Sequence, residues 1–238
     1  MTCPRCQSGR IVKNGFTHNH VQNYKCKSCS RQFVLDRKHP PITQATLDLI
    51  DKLLLERISL RGIVRVTGVS HRWFFDYLKK KYAEVPQKFE EFSKQEVEER
   101  TEKKGGFIVE CDEVQTYVQK KQNRWWIWLA LDRHTREIVG LHVNQRTEEG
   151  VKGLWDSLLT PFVDAECHTD GWKAYRGVVF GALHQVGGTQ HMERFNLTLR
   201  QRMSRLVRRN LAFSKKLENL IAHLWLFAHH YNRNRRSS

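Results

Sequence analysis

Three acidic residues stand out by where they sit. Asp112 lies inside the apolar run Phe107-Ile108-Val109-Glu110-Cys111-Asp112-Glu113-Val114. A lone carboxylate buried in such a run is costly, so this is the hardest of the three to explain as ordinary structure. Asp170 ends a second short apolar run, before Gly171, and Glu193 falls in a long helical stretch. Carboxylates brought together can share divalent ions. Two such ions, roughly 3.5–4 Å apart, can grip one phosphate, and Mg²⁺ needs only oxygen ligands. Each residue also has a plainer reading. Asp-Gly is common turn chemistry, and a first-turn glutamate suits a helix dipole. Glu110, Glu113 and Asp132 are close to Asp112 in sequence and compete with it.

Four cysteines form a second constellation. Cys3 and Cys6 make one C-x2-C pair, Cys26 and Cys29 another, with 19 residues between the pairs. Two such knuckles complete a tetrahedral four-sulfur shell for one structural Zn²⁺. The stretch is too short to bury a core of its own, so metal must supply much of its folding energy. Nearby Lys13, Lys25, Lys27 and Arg31 favour a nucleic-acid partner. Cys111 and Cys167 lie apart in apolar runs and read as small buried hydrophobes.

Helical spacing of Leu47, Ile50, Leu54 and Leu55 predicts a helix over 45–56. Ser59 is a candidate cap for a second helix through Val66, and Thr67-Gly68-Val69-Ser70 is a short turn. A third helix from His71 to Tyr82 carries Arg72, Lys79, Lys80 and Lys81, suited to phosphates or base edges. Helix, short Gly turn, helix is the spacing of a DNA-binding helix-turn-helix.

Charge agrees with this. The 238 residues carry a formal net +16. Residues 1–92 hold +9 and residues 192–238 another +9, while residues 107–191 hold −2. Basic lobes around an acidic middle suit a protein that grips phosphates and works on them in between. Hydrophobic residues make up 39% of the chain, enough for a core. No apolar run reaches 18 residues and the N-terminus has no signal-like segment, so the expectation is a soluble, cytoplasmic, nucleoid-associated protein with no membrane partner.

The middle of the chain reads as strands at 107–114, 124–131 and 137–143, then a helix over 147–159. A short strand at 164–169 follows, then another near 182–186, and then the helix with Glu193. Short connections make the first three strands an antiparallel meander. This order is that of a ribonuclease-H-like fold, which places carboxylates on central strands and a nearby helix. The fold class is therefore α+β or α/β. Residues 1–40 are the zinc ribbon, 41–85 the helix-turn-helix, 86–106 a charged linker closed by Gly105-Gly106, and 107–238 the catalytic domain. Ser214 is the candidate cap of a last helix, and the tail Arg233, Arg235 and Arg236 reads as mobile.

Thr169-Asp170-Gly171-Trp172 resembles the second catalytic motif of transposases of the insertion sequence one family. Glu193, Arg194, Asn196, Leu197, Leu199, Arg200 and Gln201 resemble the third, and Phe213-Ser214-Lys215 is also similar. The cysteine ribbon and helix-turn-helix resemble that family's DNA-binding part, so the resemblance extends over nearly the whole chain. It implies a DDE transposase with the triad Asp112, Asp170 and Glu193 holding two Mg²⁺. It also implies DNA cleavage and strand transfer, recognition of terminal inverted repeats and target DNA, and a homodimer or higher oligomer. The family's basic residue after the glutamate corresponds to Arg200, about two helical turns on and so on the same face as Glu193. Phe195 stands where the family usually has histidine, so no role assigned to that histidine carries over. Arg202, Arg205, Arg208 and Arg209 form a basic stripe suited to phosphate contact. Two other functions fit parts of this pattern: a DNA-binding regulator without catalysis, and a nuclease of the same fold that cuts without joining.

Overall fold

The computed structural model describes residues 1–35, 42–104, 106–179, 183–206 and 214–237. The chain divides into two units, Met1–Leu47 and Asp48–Ser238.

In the first unit, β1 (Ile11–Phe16), β2 (Gln22–Cys26) and β3 (Gln32–Phe33) form an antiparallel sheet in that order. Among the described residues its buried apolar side chains are Cys3, Cys26 and Phe33, with Tyr24 stacked on Phe33. Each C-x2-C pair sits on a tight knuckle. Gln7 and Ser30, the residues following Cys6 and Cys29, take left-handed φ values of 55° and 59°. The Cys3 amide donates to the Ser8 carbonyl and the Cys26 amide to that of Arg31. A left-handed non-glycine residue costs about 1–2 kcal/mol, and here the cost is met twice at matching places.

Helix α1 (Gln44–Leu54) crosses the division between the units. Helix α2 (Leu60–Thr67) and helix α3 (His71–Glu84) follow, each capped by serine. Ser59 Oγ accepts from the Gly62 amide and Ser70 Oγ from that of Trp73. Between them Gly68 ends α2 at φ 68°, where a side chain would be strained. Ile50, Leu54, Ile63, Phe74 and Leu78 are buried.

Residues 86–104 depart from the linker expectation. Ser93 and Glu96 form a reciprocal capping box that starts α4 (Lys94–Lys104). Phe89 enters the main core. Arg100 is buried, stacks on Phe107 at 4.7 Å, and forms an ion pair with the fully buried Asp132. A free linker does not bury an arginine, because ion burial must be compensated by a fixed partner. Arg100→Ala leaves the Asp132 carboxylate without its cation. We expect a loss of about 3–5 kcal/mol in a denaturant titration, whereas a loose linker would give almost none. Gly105 lies outside the described residues.

The second sheet has the order β6-β5-β4-β7-β8. Strands β4 (Ile108–Tyr117), β5 (Arg124–Asp132) and β6 (Ile138–Asn144) are antiparallel neighbours. Helix α5 (Glu148–Asp156) and the short α6 (Thr160–Val163) then lead to β7 (Glu166–Thr169), parallel to β4. Strand β8 (His184–Val186) adds in parallel beside β7; Ala182, where the sequence suggested a strand start, lies outside the described residues. Helices α7 (Gln190–Arg202) and α8 (Leu217–Arg236) complete the chain. Trp128 on β5 packs toward α5, where an added Cβ at Gly150 would come 2.6 Å from its ring. Asp112, one register position away on β4, turns instead toward α7, whose Asn196 it contacts. Cys111 and Cys167 are fully buried core residues on β4 and β7.

Two expectations near the C-terminus are corrected. Ser214 does not cap α8, which starts after Lys216; its hydroxyl accepts from the Arg205 guanidinium at 2.8 Å. Arg233, Arg235 and Arg236 are not a loose tail but lie in the last turn of α8, and Arg236 pairs with Glu137.

Helix α3 is joined to α8 by a buried polar cluster. His223 Nδ1 accepts from Tyr82 Oη at 2.6 Å and from Arg205 Nε at 3.3 Å. Burial, with Arg205 beside it, pushes the imidazole from 6.5 down to about 3. The unfolded chain therefore takes up a proton that the folded chain refuses. Stability is full above the ordinary histidine pKa and declines as pH falls from about 6.5 toward 3, by up to about 1.4 kcal/mol per unit from this group. Urea midpoints measured between about pH 7.5 and 5 should fall in the native chain and fall less in His223→Gln. Equal slopes in the two would contradict a neutral buried His223.

Candidate functional site: an acidic cluster and a four-cysteine knuckle

Strand β4 runs past the end of β7. Its register with β7 stops at Glu110 opposite His168, while its pairing with β5 continues to Tyr117. Asp112 and Glu113 alternate to opposite faces, yet both reach the gap where β7 ends. There Asp170 turns the chain. Carboxylate oxygens of Asp112, Glu113 and Asp170 lie within 4.8 Å of one another. The turn is built for this place: Gly171 has φ 83°, and a Cβ on it would meet Val186 at 2.8 Å. Asp170 Oδ1 accepts from the Trp172 amide at 3.0 Å.

Electrostatics separate the members of the cluster. Burial raises the Asp112 carboxyl above its ordinary range, and the negative charges of Asp170 and Glu193 add to the rise. The Glu113 amide and Asn196 oppose it. Burial also raises Glu113, but Arg146 acts against it. Arg146 Nε sits 2.7 Å from Glu113 Oε1, and its guanidinium stacks over Trp172 at 4.6 Å. Glu113 thus has its own cation, and among the described residues no ion pair reaches Asp112 or Asp170.

Glu193 is exposed in the first turn of α7. It lies outside the tight group but close enough to act on Asp112. The start of α7 is fixed by Glu110. This fully buried carboxylate accepts from the His191 and Met192 amides at 3.1 and 3.0 Å, and from Arg133 at 2.8 Å. A carboxylate on the exposed amides of a helix N-terminus is a favourable arrangement. Burial works to raise Glu110, but His191, Arg133 and the Met192 amide outweigh it and hold the carboxyl below its usual range. Asp132 is likewise engaged elsewhere, by Arg100, Thr135 and the His134 amide. Of the carboxylates near Asp112 in sequence, Glu110 and Asp132 are therefore structural.

Along α7, Met192, Phe195, Asn196 and Leu199 are buried while Glu193 and Arg200 are exposed. Phe195 meets Tyr231 of α8 edge-on. Arg72, Lys79 and Lys80 are exposed on α3. Arg202 is partly covered, pairing with Glu56 at 3.1 Å and stacking on Phe227. Arg205 is a correction. It is buried, with its guanidinium on Tyr82, Ser214 and His223, and cannot reach a phosphate from there. Arg208 and Arg209, and Phe213 of the motif, lie outside the described residues. Sequence reading missed the placement of Glu113 and Arg146, and neither pairing has a local signal. The Ser93-x-x-Glu96 capping box is a local sequence signal for the start of α4.

In the first unit, the Sγ atoms of Cys3, Cys6, Cys26 and Cys29 also lie within 4.8 Å of one another. Cys3 to Cys29 and Cys6 to Cys26 are each 3.6 Å. Backbone amides of Cys29 and Ser28 lower the Cys26 thiol, while its neighbouring thiols raise Cys6, as expected of four sulfurs crowded at one point. The group can hold a metal ion. Among the described residues no helix is long and apolar enough to cross a membrane.

An acidic cluster on a mixed α/β sheet, in a chain with this basic excess, defines a candidate nucleic-acid-processing protein. Residues 107–232 match the IS1 transposase family, and the chain belongs to it. It is 37% identical over 134 residues to the insertion element IS1 4 protein InsB of Escherichia coli (strain K12), covering 55% of this chain and 80% of that one. It is 40% identical over 111 residues to the insertion element IS1 protein InsB of Shigella flexneri, covering 46% and 84%. The Shigella sonnei protein of the same name is 39% identical over the same length. The family match lies wholly in the second unit and contains Asp112, Asp170 and Glu193.

Proposed function

We propose that this chain is a DDE transposase that cuts DNA at the ends of a mobile element and joins the freed 3′-hydroxyl to target DNA. The observation that carries this is the meeting of Asp112 and Asp170 within 4.8 Å, under the helix bearing Glu193, inside the family-matched segment. The sheet order, with an antiparallel meander followed by parallel β7 and β8, supports a ribonuclease-H-like domain.

The donor set suits two Mg²⁺ ions. Asp112 and Asp170, grouped with Glu113, and Glu193 beyond them on α7 all offer hard carboxylate oxygens. When bound, such ions polarise the scissile phosphate and favour ionisation of the attacking hydroxyl. The chain's own residues then have distinct tasks. Asp112 and Asp170 hold charge at the gap beyond β7, and Glu193 adds a carboxylate from α7. Arg200, exposed on α7, and Arg202 at its end position the backbone by phosphate contact. No side chain serves as a covalent nucleophile.

The cysteine shell suits one Zn²⁺. A tetrahedron with Zn–S of about 2.3 Å has sulfur-to-sulfur edges of about 3.8 Å, close to the 3.6 Å pairs present. Ribbon and helix-turn-helix, with Arg72, Lys79 and Lys80, read the terminal inverted repeats. Holding two ends requires a dimer or higher oligomer, acting on DNA in the cytoplasm.

A labelled element-end duplex, a target plasmid and Mg²⁺ provide the test. Joined product supports the transposase. Cleavage without joining would replace it with a nuclease. Binding with neither would leave a DNA-binding regulator.

A further inference from the structure

Asn196 lies one helical turn beyond Glu193 and points its amide into the acidic gap. Its Nδ2 donates to Asp112 Oδ2 at 2.6 Å, while the Glu113 amide donates to Asp112 Oδ1 at 2.8 Å. Both Asp112 oxygens are thus held, one by its own strand and one by α7. The Asn196 residue is only 7% exposed, and its Oδ1 is buried with no hydrogen-bond partner among the described residues. An unsatisfied buried acceptor costs about 1–3 kcal/mol. Turning the amide over would set that oxygen against a carboxylate, which is worse. The amide is therefore locked one way by Asp112, and the fold tolerates an orphan acceptor to keep this single bond.

We infer that Asn196 is a positioning residue for the cation centre: it orients Asp112 and ties the strand carboxylate to the helix that carries Glu193. The inference rests on the metal reading proposed above. The neutral Asn196 amide holds Asp112 without bringing a competing cation to it, unlike Arg146 at Glu113. Groups that hydrogen-bond to a ligating carboxylate typically contribute 10–100-fold to metal affinity.

The test uses the full chain and Mn²⁺ as the probe, with bound ion counted by electron paramagnetic resonance. Asn196→Leu keeps the volume and removes the donor; Asn196→Ala removes both. Asp112→Asn identifies which ions belong to this centre. Both Asn196 variants should bind the Asp112-dependent Mn²⁺ about 10–100-fold more weakly. The Mn²⁺ concentration for half-maximal strand cleavage should rise by the same factor, with the rate at saturating Mn²⁺ largely restored. A merely structural role would lower that saturating rate and leave the midpoint in place, and would overturn the inference. So would native-like affinity in Asn196→Leu. If the native chain itself shows no Asp112-dependent Mn²⁺, the metal reading falls first and this inference with it.

Discussion

Asp112→Asn and Asp170→Asn should each reduce strand cleavage at an element end by at least about a thousandfold, or about 4 kcal/mol of barrier. Duplex binding should persist, because the exposed basic residues Arg72, Lys79, Lys80 and Arg200, proposed to hold DNA, are untouched. Both substitutions keep shape and remove charge. Asp112 is half-buried, and burial together with the charges of Asp170 and Glu193 already disfavours its ionised form. Neutralising it relieves that repulsion, so Asp112→Asn should unfold at an equal or higher temperature than the native chain. Loss of activity with a gain in stability is the signature of a functional carboxylate. Glu113→Gln should do less to the chemistry, since Arg146 already neutralises that carboxylate. Single-turnover cleavage and thermal unfolding of the three variants are the measurements. Equal losses in Glu113→Gln and Asp112→Asn would place Glu113 in the centre as well.

Chelating the metal proposed for the four-cysteine knuckle should have the second large effect. The first unit buries little besides Cys3, Cys26 and Phe33. Apolar burial on that scale cannot offset the chain entropy of ordering its strands. Structural zinc contributes roughly 10–16 kcal/mol in sites of this kind. Chelation, or Cys26→Ser, should therefore unfold residues 1–35 and abolish preference for element ends over other DNA. The second unit, with its own core, should keep its urea transition. A colorimetric zinc release of one ion per chain, with backbone amide spectra before and after, checks both statements. A ribbon that keeps its spectrum without metal would contradict the account.

What was legible in the sequence was mostly local. Ser59, Gly68 and Ser70 act within four residues of themselves, so the caps and turn around α2 and α3 could be read directly. The same holds for the C-x2-C pairs and for Asp170-Gly171, where the turn conformation itself requires glycine. Strand alternation on β4 put Asp112 and Glu110 on one face, and both do meet α7. Alternation alone does not separate their tasks. That depends on Glu110 finding the α7 amides 81 and 82 positions away. Arg205 looked like one more member of a basic stripe; its burial depends on Tyr82, 123 positions back. Residues 86–106 looked like a linker because their charges alternate, and Arg100 could not be singled out without Asp132. Long-range ion pairs leave no periodic trace, and the misplaced expectations cluster there.

The most direct test is to find the cation. Crystals of the full chain grown with Mn²⁺ would give an anomalous peak wherever it binds. A peak should appear within bonding distance of Asp112 and Asp170, with Glu193 contributing from α7, and be lost in Asp170→Asn. A peak at Glu110 or Asp132 instead, or none at the Asp112–Asp170 gap, would contradict the proposed centre.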